Sequence, residues 1–202
     1  MNTRIIAITA AVAMAGCRTN DRNGALVITK VVVGTAATGA AGSTCTFNAA
    51  GNESVFPTYV ANAPPTQVQV AAAGFVVQNQ LINPSTLNTQ LNTATNNFTA
   101  RQAVVDYEIP GQSVAQQIIP AGGTVPNNFT GAIVVELASP EAVKTAIAAA
   151  AAAATSPDGL FVRTTVRIEG RLDDGSIVST SAHDFVFHAC SSGPTCAADA
   201  CF

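Results

Sequence analysis

Apolar and polar side chains alternate from Leu160 to Leu172. Val162, Thr164, Val166 and Ile168 share one face, and Arg163, Arg167, Glu169 and Arg171 hold mainly to the other. A period of two marks a half-buried strand. Asp174-Gly175 follows, the dipeptide preferred by a two-residue type I′ turn. Pairing across that turn sets Val162 by Phe187, Thr164 by Phe185 and Val166 by His183, so the apolar faces of both strands coincide. On the opposite face Asp184 stands across from Thr165, with Arg163 and Arg167 as diagonal neighbours of opposite charge. A three-residue loop would slip the register by one and put Phe185 and His183 among the arginines. The pattern therefore predicts a two-residue turn.

The same period recurs upstream. Ala25 to Val33 is β-branched and nearly all apolar, which predicts a strand buried on both faces or packed beneath the loop that follows. Gly34 to Gly42 has no period and reads as that loop. Thr44 to Phe47 is a short second strand, and Val55 to Val60 an edge segment, because Pro57 cannot donate to a central ladder. Thr66 to Leu81 reads as one strand bent or bulged at Gly74, or two in sequence, ended by Asn83-Pro84. Ser85 to Thr99 is rich in Asn and Thr and reads as a long surface loop. Ala103 to Ile109 is a strand closed by the Pro110-Gly111 turn. Val114 to Ile119 returns from it, Pro120 to Gly123 turns again, and Gly131 to Leu137 adds a further strand.

One helix interrupts this pattern. Ser139 suits an N-cap, Pro140 the first helical position and Glu141 the helix dipole, and Ala142 to Ala154 supplies the strongest helix former. Ser156 to Gly159 stops it. Turn signals every 8 to 12 residues, roughly, with a single helix predict a sandwich or barrel rather than βαβ units. The expected fold is mainly β: an antiparallel β-sandwich, immunoglobulin-like, of about 7–8 strands with one Ala-rich helix lying over an open end.

The front of the chain follows different rules. Arg4 precedes an apolar run from Ile5 to Ala15, and small residues lead to Cys17, the plan of a secretory signal peptide. The run is about half a bilayer span, too short to anchor by itself. Met14-Ala15-Gly16-Cys17 resembles the lipobox of bacterial lipoproteins, with Met14 where that family most often has Leu. The resemblance implies a lipidated Cys17 as the mature N-terminus, carrying enough acyl chain for stable anchoring. Ala13-Met14-Ala15 is also an A-x-A site, which would leave a freely secreted product. The expected organisation is a signal peptide over 1–16, a lipidated N-terminus and polar tether over 17–24, and a single β-sandwich domain over 25–202. Arg18, rather than Asp, after Cys17 resembles outer-membrane sorting, so the expected location is the bacterial cell envelope, at the outer membrane.

Cysteine parity favours lipidation. The chain has five cysteines, and an odd thiol in an exported protein invites unwanted pairing. With Cys17 acylated, Cys45, Cys190, Cys196 and Cys201 are free to form disulfides. In each of the three possible connectivities Cys45 joins one of the C-terminal three. That closure is worth roughly 2–4 kcal/mol. The preferred pairing is Cys45 with Cys190 and Cys196 with Cys201.

Composition narrows the partners. Charged residues are 10% of the chain, and between Val31 and Ala100 the only one is Glu53. Nucleic-acid binding needs clustered Lys and Arg, so no nucleic acid is expected. The net charge of −3, or −4 once the single positive charge of Arg4 is removed, steers no charged partner.

Parts of residues 68 to 137 resemble the water-stress and hypersensitive-response domain of group-two late-embryogenesis proteins. The matching pieces are the apolar strand reaching Asn83-Pro84, Val104 to Gly111, Ile119 to Gly123, and the strand from Ile133 to Leu137. The resemblance implies a late-embryogenesis-like small antiparallel β-sandwich with one helix and no catalytic site.

Candidate chemistry is sparse. His183, placed beside Phe185 and Val166, reads as a core-edge histidine rather than a base. His188 and Cys190 share a strand face, but a zinc site needs three or four ligands and no such set assembles. No G-x-S-x-G elbow occurs, and Asp173-Asp174-Gly175 lacks EF-hand spacing. Asn52, Asn97 and Asn128 open glycosylation sequons of the kind an Asn/Thr-rich chain produces by chance. No catalytic residue, metal or cofactor is expected. The expected role is a structural or protein-interaction module held to the membrane through lipid on Cys17, with an envelope protein as partner. The alternative is a lipoprotein that binds carbohydrate or peptidoglycan. Clustered aromatics would favour that alternative, and the chain has no Trp and two Tyr.

Overall fold

The computed structural model describes residues 25–36, 45–53, 56–61, 71–81, 96–154 and 159–191. Among the described residues twelve strands and one helix follow in chain order: β1 (Leu26–Val33), β2 (Thr35–Ala36), β3 (Cys45–Thr46), β4 (Thr58–Val60), β5 (Ala72–Asn79), β6 (Phe98–Glu108), β7 (Gln117–Gly122), β8 (Thr124–Val125), β9 (Thr130–Glu136), α1 (Glu141–Ala153), β10 (Leu160–Leu172), β11 (Ile177–Ser179) and β12 (His183–Cys190). The expected mainly-β class with one helix holds. The antiparallel sandwich of 7–8 strands does not. Ten strands form one mixed sheet, ordered β1-β5-β9-β7-β6-β10-β12-β4, curled into a half-barrel, with β8 and β11 paired alongside and β2-β3 apart.

The reason lies in β7. Its first residues, Gln117 to Pro120, pair with β6, while Ala121 and Gly122 pair with β9. One strand thus joins what would have been two sheets. Pro120, read from sequence as part of a turn, sits inside β7 opposite Gln102, and the turn comes at Gly123. The halves face each other across a shared core, where the rings of Phe75 on β5 and Phe185 on β12 meet edge to face at 6.0 Å. On the other side a hydrogen bond from Ser181 N to Leu26 O, 3.2 Å, draws β1 toward the start of β12.

The register of the last hairpin is as the alternation predicts, with Val162 opposite Phe187, Thr164 opposite Phe185 and Val166 opposite His183. On the outer face Thr165 Oγ1 donates to Asp184 Oδ1 at 2.8 Å. The turn differs. Leu172 N bonds Ser176 O, and Gly175, with φ +82°, makes a three-residue loop of Asp173 to Gly175. Arg171 then pairs Ile177 and Glu169 pairs Ser179, one residue out of the later register. An extra residue between Thr180 and His183 restores it. Thr180 Oγ1 accepts from Ile168 N there, and the bond to Leu26 fixes the bulged segment.

Gly74 carries no bulge: β5 runs straight through it, paired with β1 and β9. The irregularity lies in β1, between Ile28 and Lys30. A side chain at Gly74 would meet Val32 Cγ2 at 2.9 Å and Phe47 at 3.0 Å. Residues 45–53 lie over the outer face of β1 and β5, held also by Lys30 Nζ donating to Gly51 O at 2.6 Å. β1 is thus covered by residues 45–53; most of the loop expected to cover it, Gly34 to Gly42, lies outside the described residues. β4 lies at the sheet's edge as expected from Pro57, parallel to β12.

Two boundaries move. β6 begins at Phe98, so Phe98 and Thr99, assigned by composition to a loop, are strand. The helix is capped at Pro140 (φ −68°, ψ 133°), not Ser139, because the Pro140 carbonyl accepts from Val143 N and Lys144 N. Val143, Ala146, Ile147, Ala150 and Ala151 form its buried face, which packs on β12 and β10.

Candidate functional site

The half-barrel has two ends. At the near end β1 begins, and the hairpin tip of Asp173 to Gly175 lies there. At the far end are the start of β10, the Pro110-Gly111 turn and the edge strand β4. Phe161 sits at the far end on the outward face of β10 and opposes His188 on β12. Their rings lie 5.4 Å apart. Pro57 O accepts from His188 N at 2.8 Å, which brings the segment before β4 alongside. Phe56 there has φ +52°, a left-handed conformation costing a non-glycine residue roughly 1–2 kcal/mol. Its ring meets Phe161 edge to face at 5.5 Å. Phe161 and Phe56 nevertheless remain 59% and 52% exposed. Strain that holds an apolar side chain in water is a pointer to function rather than to packing.

The aromatic ledge borders an open groove of about 690 Å³ whose walls include Phe161, Arg163, Val186, Ile109 and Pro110. Arg163 Nη1 lies 3.8 Å from Glu108 Oε2, and both side chains are largely exposed. A second open groove, about 460 Å³, runs between residues 112–117 and α1. Gln112, Ser113 and Val114 line both. Apolar faces, a solvated ion pair, an amide and a hydroxyl suit the capture of a sugar ring or an extended peptide.

No family model, curated protein or solved structure matches the chain.

Other sequence-selected residues take these places. His183 is half-buried at the core edge, where burial lowers its pKa while Asp184 and Glu53 pull it the other way. His188 belongs to the ledge. Cys190 is buried at the end of β12, and Cys45 is exposed on β3. Cys17, Cys196 and Cys201 lie outside the described residues, and so do residues 1–24, where a signal peptide and tether are expected. Among the described residues no three of His, Cys, Asp and Glu come together as a metal site. No described helix is long and apolar enough to cross a membrane. Tyr107 donates from its buried hydroxyl to Leu137 O, and burial raises its pKa. That bond ties β6 to the end of β9, beneath the groove.

Sequence reasoning missed the ledge. Phe56 and Phe161 are far apart in the chain, and neither belongs to an aromatic-rich stretch. The one available signal was Phe161 itself, an apolar residue on the polar face of an otherwise strict alternation.

Proposed function

We propose that the chain is a lipid-anchored protein of the bacterial cell envelope, acting as a structural or protein-interaction module without catalysis. The observation that carries this is Met14-Ala15-Gly16-Cys17 at the end of a short apolar run, followed by a polar segment before the β body. Acylation of Cys17 leaves Cys45, Cys190, Cys196 and Cys201 to pair. Distant kinship with the late-embryogenesis family, with its two sheets joined into one curled sheet, belongs to the same proposal. What speaks for it is that two halves of sheet face one another across Phe75 and Phe185 beside one helix.

Detergent phase partition of the protein from its native host, with intact-mass analysis, tests the anchor. Wild type is expected in the detergent phase with acyl mass on Cys17, and Cys17→Ser in the aqueous phase. A mature wild-type chain beginning at Gly16 without acyl mass would remove the proposal.

The Phe56–Phe161–His188 ledge favours a second reading, a ligand-binding lipoprotein with a glycan as ligand. Stacking on aromatic faces is how proteins hold the apolar side of a sugar ring, and the groove adds polar groups beside it. Titration with soluble peptidoglycan fragments, followed by chemical shifts of Phe161 and His188, is the measurement. Phe161→Ser is expected to weaken binding by about tenfold, the equivalent of about 1.4 kcal/mol. Unmoved shifts in the wild type would end this reading.

A further inference from the structure

The near end carries an apolar surface of its own. Phe129 and Ile177 are 65% and 73% exposed. A chain of bonds places both beside the start of β1. Gln80 N donates to Ala25 O, and the adjoining Asn79 N donates to Phe129 O. Asn79 is fully buried, and its Nδ2 donates to Asn96 O at 2.8 Å. The next residue, Asn97, donates to Asp173 Oδ2 in the hairpin tip, and its Oδ1 accepts from Asn127 N. Ile177 stands two residues after that tip, paired with Arg171. Phe129 and Ile177 therefore crown the same end from which the chain runs back to Cys17.

Length restricts what that end can face. Eight Cα steps separate Cys17 from Ala25, at most about 28 Å when fully extended. Ten residues of β10 separate Phe161 from Arg171, about 33 Å along the strand. A body anchored at Cys17 thus keeps its near end within reach of the bilayer, and the far-end ledge beyond it unless the body lies flat. Exposed Arg171 beside exposed Asp173 and Asp174 leaves one net negative charge at the tip, which the one net positive charge of residues 18–24 (Arg18 and Arg22 against Asp21) offsets.

We infer that the near end is a membrane-seating surface: Phe129 and Ile177 enter the headgroup region of the bilayer that holds Cys17, so that the Phe56–Phe161–His188 ledge points away from the membrane. This rests on the proposed acylation. Apolar side chains of peripheral proteins sit about 5–10 Å into that region. Two side chains do not hold a protein there alone. With the chain already tethered, each needs only to gain from local burial, because the anchor has removed most of the entropic cost of approach.

The chain has no Trp, so single tryptophans report position without background. Phe129→Trp, Ile177→Trp and Phe161→Trp all replace exposed side chains and are made in the acylated full-length precursor. The mature proteins are incorporated into vesicles of phosphatidylethanolamine and phosphatidylglycerol with brominated acyl chains, and vesicle flotation is read in parallel. Flotation with about half the emission quenched at positions 129 and 177, and little at 161, is expected for that depth. Flotation with equal, weak quenching at all three positions leaves the anchor in place and overturns the seating. Failure to float, with no acyl mass on the chain, overturns both.

Discussion

Replacing Phe75 with alanine is expected to destabilise the protein by about 3–5 kcal/mol, the range for an aromatic side chain removed from a packed core. Phe75 has no exposed surface. It stands on β5, in the half of the sheet that holds β1 and β9, and its ring meets Phe185 on β12 in the other half. Phe185 lies in turn 6.4 Å from Phe187, which meets Tyr59 of the edge strand at 6.5 Å. The aromatic row thus spans the interior from one half of the curled sheet to the opposite edge. Truncation at Phe75 leaves a void that neither half can close without uncurling the sheet. Domains are stable by only about 5–15 kcal/mol in all, so much of the total is at stake. Urea unfolding of Phe75→Ala beside Phe129→Ala checks it. The second change removes an equally large ring from an exposed position and is expected to cost within about 0.5 kcal/mol. Equal losses for the two would show that the halves are not held together through Phe75.

How far the fold is legible in the chain depends on whether a feature is local. The pairing of β10 with β12 follows from alternation, because a slip by one residue would exchange core and solvent faces along the whole strand. Loop length was inferred from that register and came out one residue short. The compensating residue lies between Thr180 and His183, and its Ser181 N bonds Leu26 O, a partner more than 150 positions away that no turn rule contains. The sandwich gave way to a curled sheet for a similar reason. Pro120 is a sound turn signal in isolation, yet the β6–β7 pairing holds it in line with Gln102. The candidate site was least visible of all. It consists of apolar side chains at exposed positions, and only the pairing of Phe161 with His188 and the contact of Pro57 with His188 bring them together.

Gly170→Ala is expected to lower the melting temperature steeply, although alanine is the smallest side chain that can be added. Within β10 the glycine faces the place where the register with β6 shifts, between Glu169 and Gly170. The extra residue of β6 pushes its backbone toward β10 at that point. A Cβ on Gly170 would collide with Thr99 O, and would lie 2.7 Å from the ring of Phe98 and 2.9 Å from Ala100 Cα. Two of these neighbours are backbone in the central ladder and cannot rotate away, and Phe98 is fully buried. Relief requires the β6–β10 pairing to open at the near end of the sheet, beneath Val125, which pairs with Phe98. Overpacking of this kind costs about 1–3 kcal/mol and sometimes more, a shift of roughly 2–12 °C for a chain of this size. Gly122→Ala is the matched control: also a strand glycine, it has nothing within 4 Å of the added carbon and is expected to melt within a degree or two of wild type, roughly. Calorimetric melts that coincide for the two variants would mean that the bulge in β6 does not bring its backbone against β10 as described.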